Sequence, residues 1–154
     1  MYYYRHGDDM HLHLHFNGLA LVVSVVASFA LGALWYGPLF AKVWQRAMGF
    51  ADAKPSGAEI AKGSVINIIG TFLTVFAMAH IVALWRPSTW RAGDDMPPWV
   101  YGGFSGFVVW FGFIVPVLLN GVAFERKSWK VFFIGAGFQF LSLQLIGMIL
   151  AYWR

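Results

Sequence analysis

The residues of this chain able to do chemistry are few, and most sit in or beside long apolar runs. His11, His13 and His15 alternate in the N-terminal stretch. In an extended backbone alternate side chains share a face, and three imidazoles on one face suit Zn, Cu or Ni. The other reading of that stretch is a plain tail whose histidines are only compositional. His80 lies inside an apolar run, where an ionisable group is a functional candidate by default. It supplies half of a bis-His haem set, with no second intramembrane histidine; the alternative is a neutral, hydrogen-bonded imidazole near the interface. Gly93-Asp94-Asp95-Met96 repeats Gly7-Asp8-Asp9-Met10. These carboxylates, with the histidines, could make a cation site of oxygen and nitrogen ligands. Gly-Asp-Asp is also ordinary loop and N-cap chemistry.

Uncharged polar groups form the second set. Ser64, Asn67, Thr71 and Thr74 follow at steps of 3, 4 and 3, one face of a helix. Gln139 and Gln144 lie in the last apolar run. Inside a bilayer such groups must face protein or water. They are either interhelical hydrogen bonds or the wall of a polar pathway, and the Asn67 stripe is the expected partner of one glutamine. The second glutamine is expected to face another protomer.

What holds these groups must be a membrane fold. Of the 154 residues, 59% are hydrophobic and 12% charged, against about 25% charged in soluble domains. Four stretches, 16–41, 63–85, 96–124 and 131–153, lack Asp, Glu, Lys and Arg, and each exceeds the ~20 residues that cross a bilayer as a helix. The expected fold is all-α, a four-transmembrane-helix bundle over residues 16–154 after a His-rich tail, 1–15, with spans near 17–40, 64–85, 99–120 and 131–153. The first run is too long for the core of a cleaved leader and lacks a basic region before it, so it is expected to stay as a span. The net charge of +4 forms no stripe on a soluble face, which excludes nucleic acid as a partner and leaves the lipid bilayer. Arg5, Arg86, Arg91 and Arg154 fall on one side. Lys42, Arg46, Lys54, Lys62, Arg126, Lys127 and Lys130 fall on the other, expected to be cytoplasmic, with both termini outside. The absence of cysteine removes disulfides, thiolate metal sites and Cys nucleophiles.

Between the spans, Trp35-Tyr36 and Gly37-Pro38 close the first run. Phe40, Val43, Trp44, Ala47 and Met48 then share one helical face, with Lys42, Gln45 and Arg46 on the other. That pattern predicts a short amphipathic helix in the interface plane, with Pro38 in its first turn. Ala20, Ser24, Ser28 and Gly32, at strict i+4 spacing, and Gly102-x-x-x-Gly106 are close-packing faces. Pro116 predicts a kink opposite Gly112, and Asn120-Gly121 is expected to end the third span.

The run Leu31 to Gly49, LGALWYGPLFAKVWQRAMG, and the final VAFERKSWKVFFIGAGFQFLSLQLIGMILAYWR resemble the domain-of-unknown-function 1761 family of small bacterial membrane proteins. The resemblance covers nearly all of the chain after the tail. It implies a four-span bacterial membrane protein, for which the charge count above places both termini on the periplasmic side of the inner membrane, and it brings no activity, cofactor or catalytic residue.

No phosphate loop, H-E-x-x-H or Ser/His/Asp set is present, and no span carries a carboxylate. A non-enzymatic bundle is therefore expected, a homo-oligomer or accessory subunit of a membrane complex. The alternatives are a small dimeric transporter or channel using the Asn67 stripe, Gln139, Gln144 and the Pro116 kink, and a metal- or haem-binding component using His80 or the outer His/Asp groups.

Overall fold

The structure, a computed structural model, describes residues 16–50, 55–90 and 93–153. It is all-helical over these, with helices α1 (Gly18–Leu34), α2 (Ala41–Met48), α3 (Gly57–Leu84), α4 (Pro98–Val109), α5 (Val115–Ala123) and α6 (Trp129–Tyr152). Four stretches are long and apolar enough to cross a membrane: Gly18–Leu39, Gly57–Leu84, Pro98–Ala123 and Trp129–Tyr152. The last alone spans roughly 36 Å at 1.5 Å per residue, enough for a ~30 Å hydrocarbon core. The chain is a multi-pass membrane protein. Successive spans alternate in direction, which gathers α2 and the α5–α6 loop at one end. That end carries Lys42, Arg46, Arg126, Lys127 and Lys130 and is called the basic end below.

Helices α1, α3 and α6 each start where a side chain takes free amides. Asn17 Oδ1 accepts from the Leu19 and Ala20 amides at 3.0 and 3.3 Å. Ser128 Oγ accepts from the Val131 amide. At α3, Ser56 and Glu59 cap one another reciprocally. This box starts α3 at Gly57, about two turns before the expected span, so the helix extends beyond the apolar run at its basic end.

Pro38 and Pro116 both lie at interruptions of a span. Around Pro38 the Phe40 amide bonds to the Trp35 carbonyl at 2.9 Å, a wide i→i+5 turn in which Gly37 leaves helical geometry (φ −95°, ψ −105°). Pro38 thus belongs to this turn, and α2 begins only at Ala41. Pro116 is preceded by a second wide turn, in which the Val115 amide reaches the Trp110 carbonyl. Widening relieves the clash between the proline ring and the carbonyl four residues back. Asn120-Gly121 does not end the third span. Helix α5 continues to Ala123, and the Lys127 amide closes the loop onto the Gly121 carbonyl at 3.0 Å. Gly49, at φ 78°, ends α2, with the Phe50 amide returning to Gln45 and the Gly49 amide to Arg46.

Helix α6 is the hub, packed against α1, α3, α4, α5 and α2. The core lies away from the basic end: Val75, Met78, Ala79 and Val82 of α3 meet Leu143, Ile146, Leu150 and Ala151 of α6, with Ala20 and Tyr101. Toward the basic end α3 loses this packing. Ile60, Val65, Ile66, Ile68 and Ile69 are all exposed, as is Asn67 among them.

Candidate functional site

The two close-packing faces have different partners. On α1, Ala20, Ser24 and Ser28 are buried, and the Ser28 hydroxyl lies 2.7 Å from that of Ser142 on α6. Gly32, the last of the four, is half-exposed and lies beside the Phe138 ring. On α4, Gly102 and Gly106 lie on the α6 backbone. A methyl group at Gly102 would stand 2.6 Å from the Gly147 carbonyl oxygen, and one at Gly106 2.8 Å from that of Leu143. Gln144 Nε2 donates to the Gly103 carbonyl at 3.2 Å, so this glutamine is committed to α4 within the same chain.

The serine pair is worth measuring. Hydrogen bonds between membrane helices average about 0.6 kcal/mol in double-mutant cycles and reach about 1.7. A Ser28→Ala, Ser142→Ala cycle, read by SDS titration of the purified protein, should return a coupling within that range. A coupling of zero would make the contact incidental.

Gln139 faces the other way. With Asn67, Thr71 and Thr74 of α3, and Ser28 and Ser142, it lines an open groove of about 380 Å³ between α1, α3 and α6. Ser64 lies beyond it, half-buried at the basic end. Thr74 Oγ1 donates to the Gly70 carbonyl at 3.1 Å. Among the described residues the carboxamides of Asn67 and Gln139 have no hydrogen-bond partner. The groove exists because α3 leaves the bundle at this level while its polar stripe still points toward α6.

His80 is half-buried between Phe16 and Phe76, with ring centroids 4.5 and 4.6 Å away. Its Nδ1 lies 2.8 Å from the Phe76 carbonyl. A carbonyl only accepts, so Nδ1 carries the proton and Nε2 is the atom left for another partner. Asp94 is exposed, and Asp95 accepts from the Ser88 amide at 2.9 Å, as a loop-closing residue does. Among the described residues no three His, Asp or Glu side chains come together. His11, His13 and His15 lie outside the described residues.

Two arrangements have no counterpart in the sequence reading. The first caps the end of α6 away from the basic end. Arg86 donates to the Leu150 carbonyl at 3.0 Å, Tyr101 donates to that of Ala151 at 3.1 Å, and the guanidinium sits 5.3 Å over the Tyr101 ring. A cavity of about 20 Å³ beside Arg86, bounded also by Asn17 and Trp153, has room for one water. The second is a pair of indoles. Trp35 donates to the Ile134 carbonyl at 3.0 Å and Trp110 to that of Ala136 at 2.8 Å. Each opens one of the wide turns, so the two proline interruptions aim two indole donors at the same helix. A tryptophan a few residues ahead of a proline inside a span is the signal that could have marked both.

A family model described as a protein of unknown function (DUF1761) matches residues 19–151. No curated protein and no solved structure matches the chain.

Proposed function

The chain belongs to the DUF1761 family of proteins of unknown function, and we propose that it works as a non-enzymatic membrane subunit, joining a second copy or a larger complex through the groove between α1, α3 and α6. The observation that carries this reading is Asn67: an exposed carboxamide on an apolar helix, facing Gln139 across the groove, neither with a partner among the described residues. A lipid chain offers no hydrogen bond, so polar groups at that depth are satisfied by protein or by water. The isoleucine-rich surface around Asn67 suits a partner helix better than an aqueous passage.

The second reading, a transporter or channel, has the same groove in its favour, since six polar side chains line it. The chain lacks cysteine, so single-cysteine variants separate the two readings. With Asn67→Cys in native membranes, we expect cross-linking to a neighbouring protein and slow reaction with a membrane-impermeant maleimide. Fast labelling at both Asn67→Cys and Thr71→Cys, with no cross-linked product, would overturn the subunit reading in favour of the aqueous one.

A further inference from the structure

We infer that the groove between α2 and the first turn of α6 holds the phosphate-bearing headgroup of an anionic phospholipid. This site is separate from the groove of Asn67 and does not depend on the reading built on it. The groove measures about 570 Å³ and is formed by Val43, Arg46 and Ala47 of α2 with Ser128, Trp129 and Lys130. Three kinds of side chain line it. Val43 and Ala47 are apolar. Trp129 is exposed, as tryptophans at headgroup level are. Arg46 and Lys130 supply two cations.

Among the described residues these two cations have no carboxylate partner. Lys127, the next basic residue along the loop, is paired with Glu125 at 2.7 Å and packs its aliphatic chain against Gly121. Among the described residues Arg46 and Lys130 have no such ion pair, and no carboxylate lines their groove. The two are far apart in sequence and come together because α2, leaving the wide turn at Pro38, folds back against α6. Placement fits as well: an amphipathic helix in the interface plane, beside the start of a membrane span, sits at the level of lipid phosphates. A zwitterionic headgroup offers the same phosphate but brings an ammonium group toward Arg46 and Lys130, so an anionic lipid is the occupant chosen by charge.

The test is retention of lipid through purification. Full-length protein in mild detergent is incubated with equimolar phosphatidylglycerol and phosphatidylcholine, and bound lipid is counted by native mass spectrometry. Wild type should retain phosphatidylglycerol in preference. At about 1 kcal/mol per basic residue near a lipid surface, each of Arg46→Gln and Lys130→Gln should weaken retention about fivefold and the pair about 25-fold. The charge-conserving pair Arg46→Lys, Lys130→Arg should keep most of it, which separates lost binding from lost folding. Lys62→Gln with Arg126→Gln changes the net charge equally, and neither residue lines the groove. Equal loss in that control, no preference in the wild type, or full displacement by inorganic phosphate alone would overturn the assignment.

Discussion

Gly102→Ala should cost about 1–3 kcal/mol of stability, and Gly102→Leu should leave no folded protein. The added methyl of alanine would stand 2.6 Å from the Gly147 carbonyl oxygen and 2.8 Å from the Ala151 methyl. Neither obstacle is the flexible end of a side chain. One is helix backbone and the other is attached directly to it, so relief requires α4 and α6 to separate as bodies. That separation would draw Tyr101 away from the Ala151 carbonyl and Gln144 away from the Gly103 carbonyl. It would also disturb Leu143, Ile146 and Leu150, the densest part of the core. Gly70→Ala is the control, because nothing lies within 4 Å of the methyl it would add. It should be neutral, or stabilising by up to about 1 kcal/mol from helix propensity. Thermal unfolding of both variants in the same detergent, followed by tryptophan fluorescence, checks the pair. Equal midpoints would mean that α4 and α6 do not make this contact in the folded protein.

The features legible in the sequence are those that the bilayer imposes locally. Crossing it takes about 20 apolar residues, and four such runs were plain from the charges that bound them. Close approach of helices takes small residues at i+4, which is why Ala20, Ser24, Ser28, Gly102 and Gly106 stood out and are where α1 and α4 are buried. What faces them was not legible, because it depends on which helix occupies the centre. Helical spacing alone puts Gln139 and Gln144 on different faces, but only with α6 as hub does Ser28 meet Ser142 and Gln144 meet α4. The ends of helices were partly readable. Ser56-x-x-Glu59 is a capping signal in the sequence itself and places the start of α3. The continuation of α5 past Asn120-Gly121 is set by Lys127, which folds back over Gly121 and is not a neighbour by any local pattern. The tryptophans hid best. Nothing in the local pattern around Trp35 or Trp110 names a partner, yet both indoles are spent on α6 carbonyls. The wide turns that rotate them into place follow from prolines several residues downstream.

Arg86 hid for a different reason, and its replacement carries the second large effect. Counted along the chain it is a loop charge that helps set topology. In the fold it holds down the end of α6, where the last carbonyls have no amides of their own helix to accept from. Its guanidinium answers three demands there. It donates to the Leu150 carbonyl, it places a positive charge at the negative end of the α6 dipole, and it lies over the Tyr101 ring. A hydrogen bond from a charged donor contributes about 1.5–3 kcal/mol. Arg86→Met keeps much of the side-chain volume and loses all three interactions, so it should destabilise the protein by about 2–3 kcal/mol. Lysine can replace the charge and one donor but has no planar group to stack on Tyr101. Arg86→Lys should therefore recover roughly half of the loss. Tyr101→Phe removes one neutral hydrogen bond and should cost about 1 kcal/mol. Because Arg86 and Tyr101 touch, the double variant should fall short of the sum. The series is measured by SDS titration, with amide exchange over residues 146–152 as the local readout. If Arg86→Met lowers global stability without faster exchange in that last turn, the arginine is not what holds the end of α6.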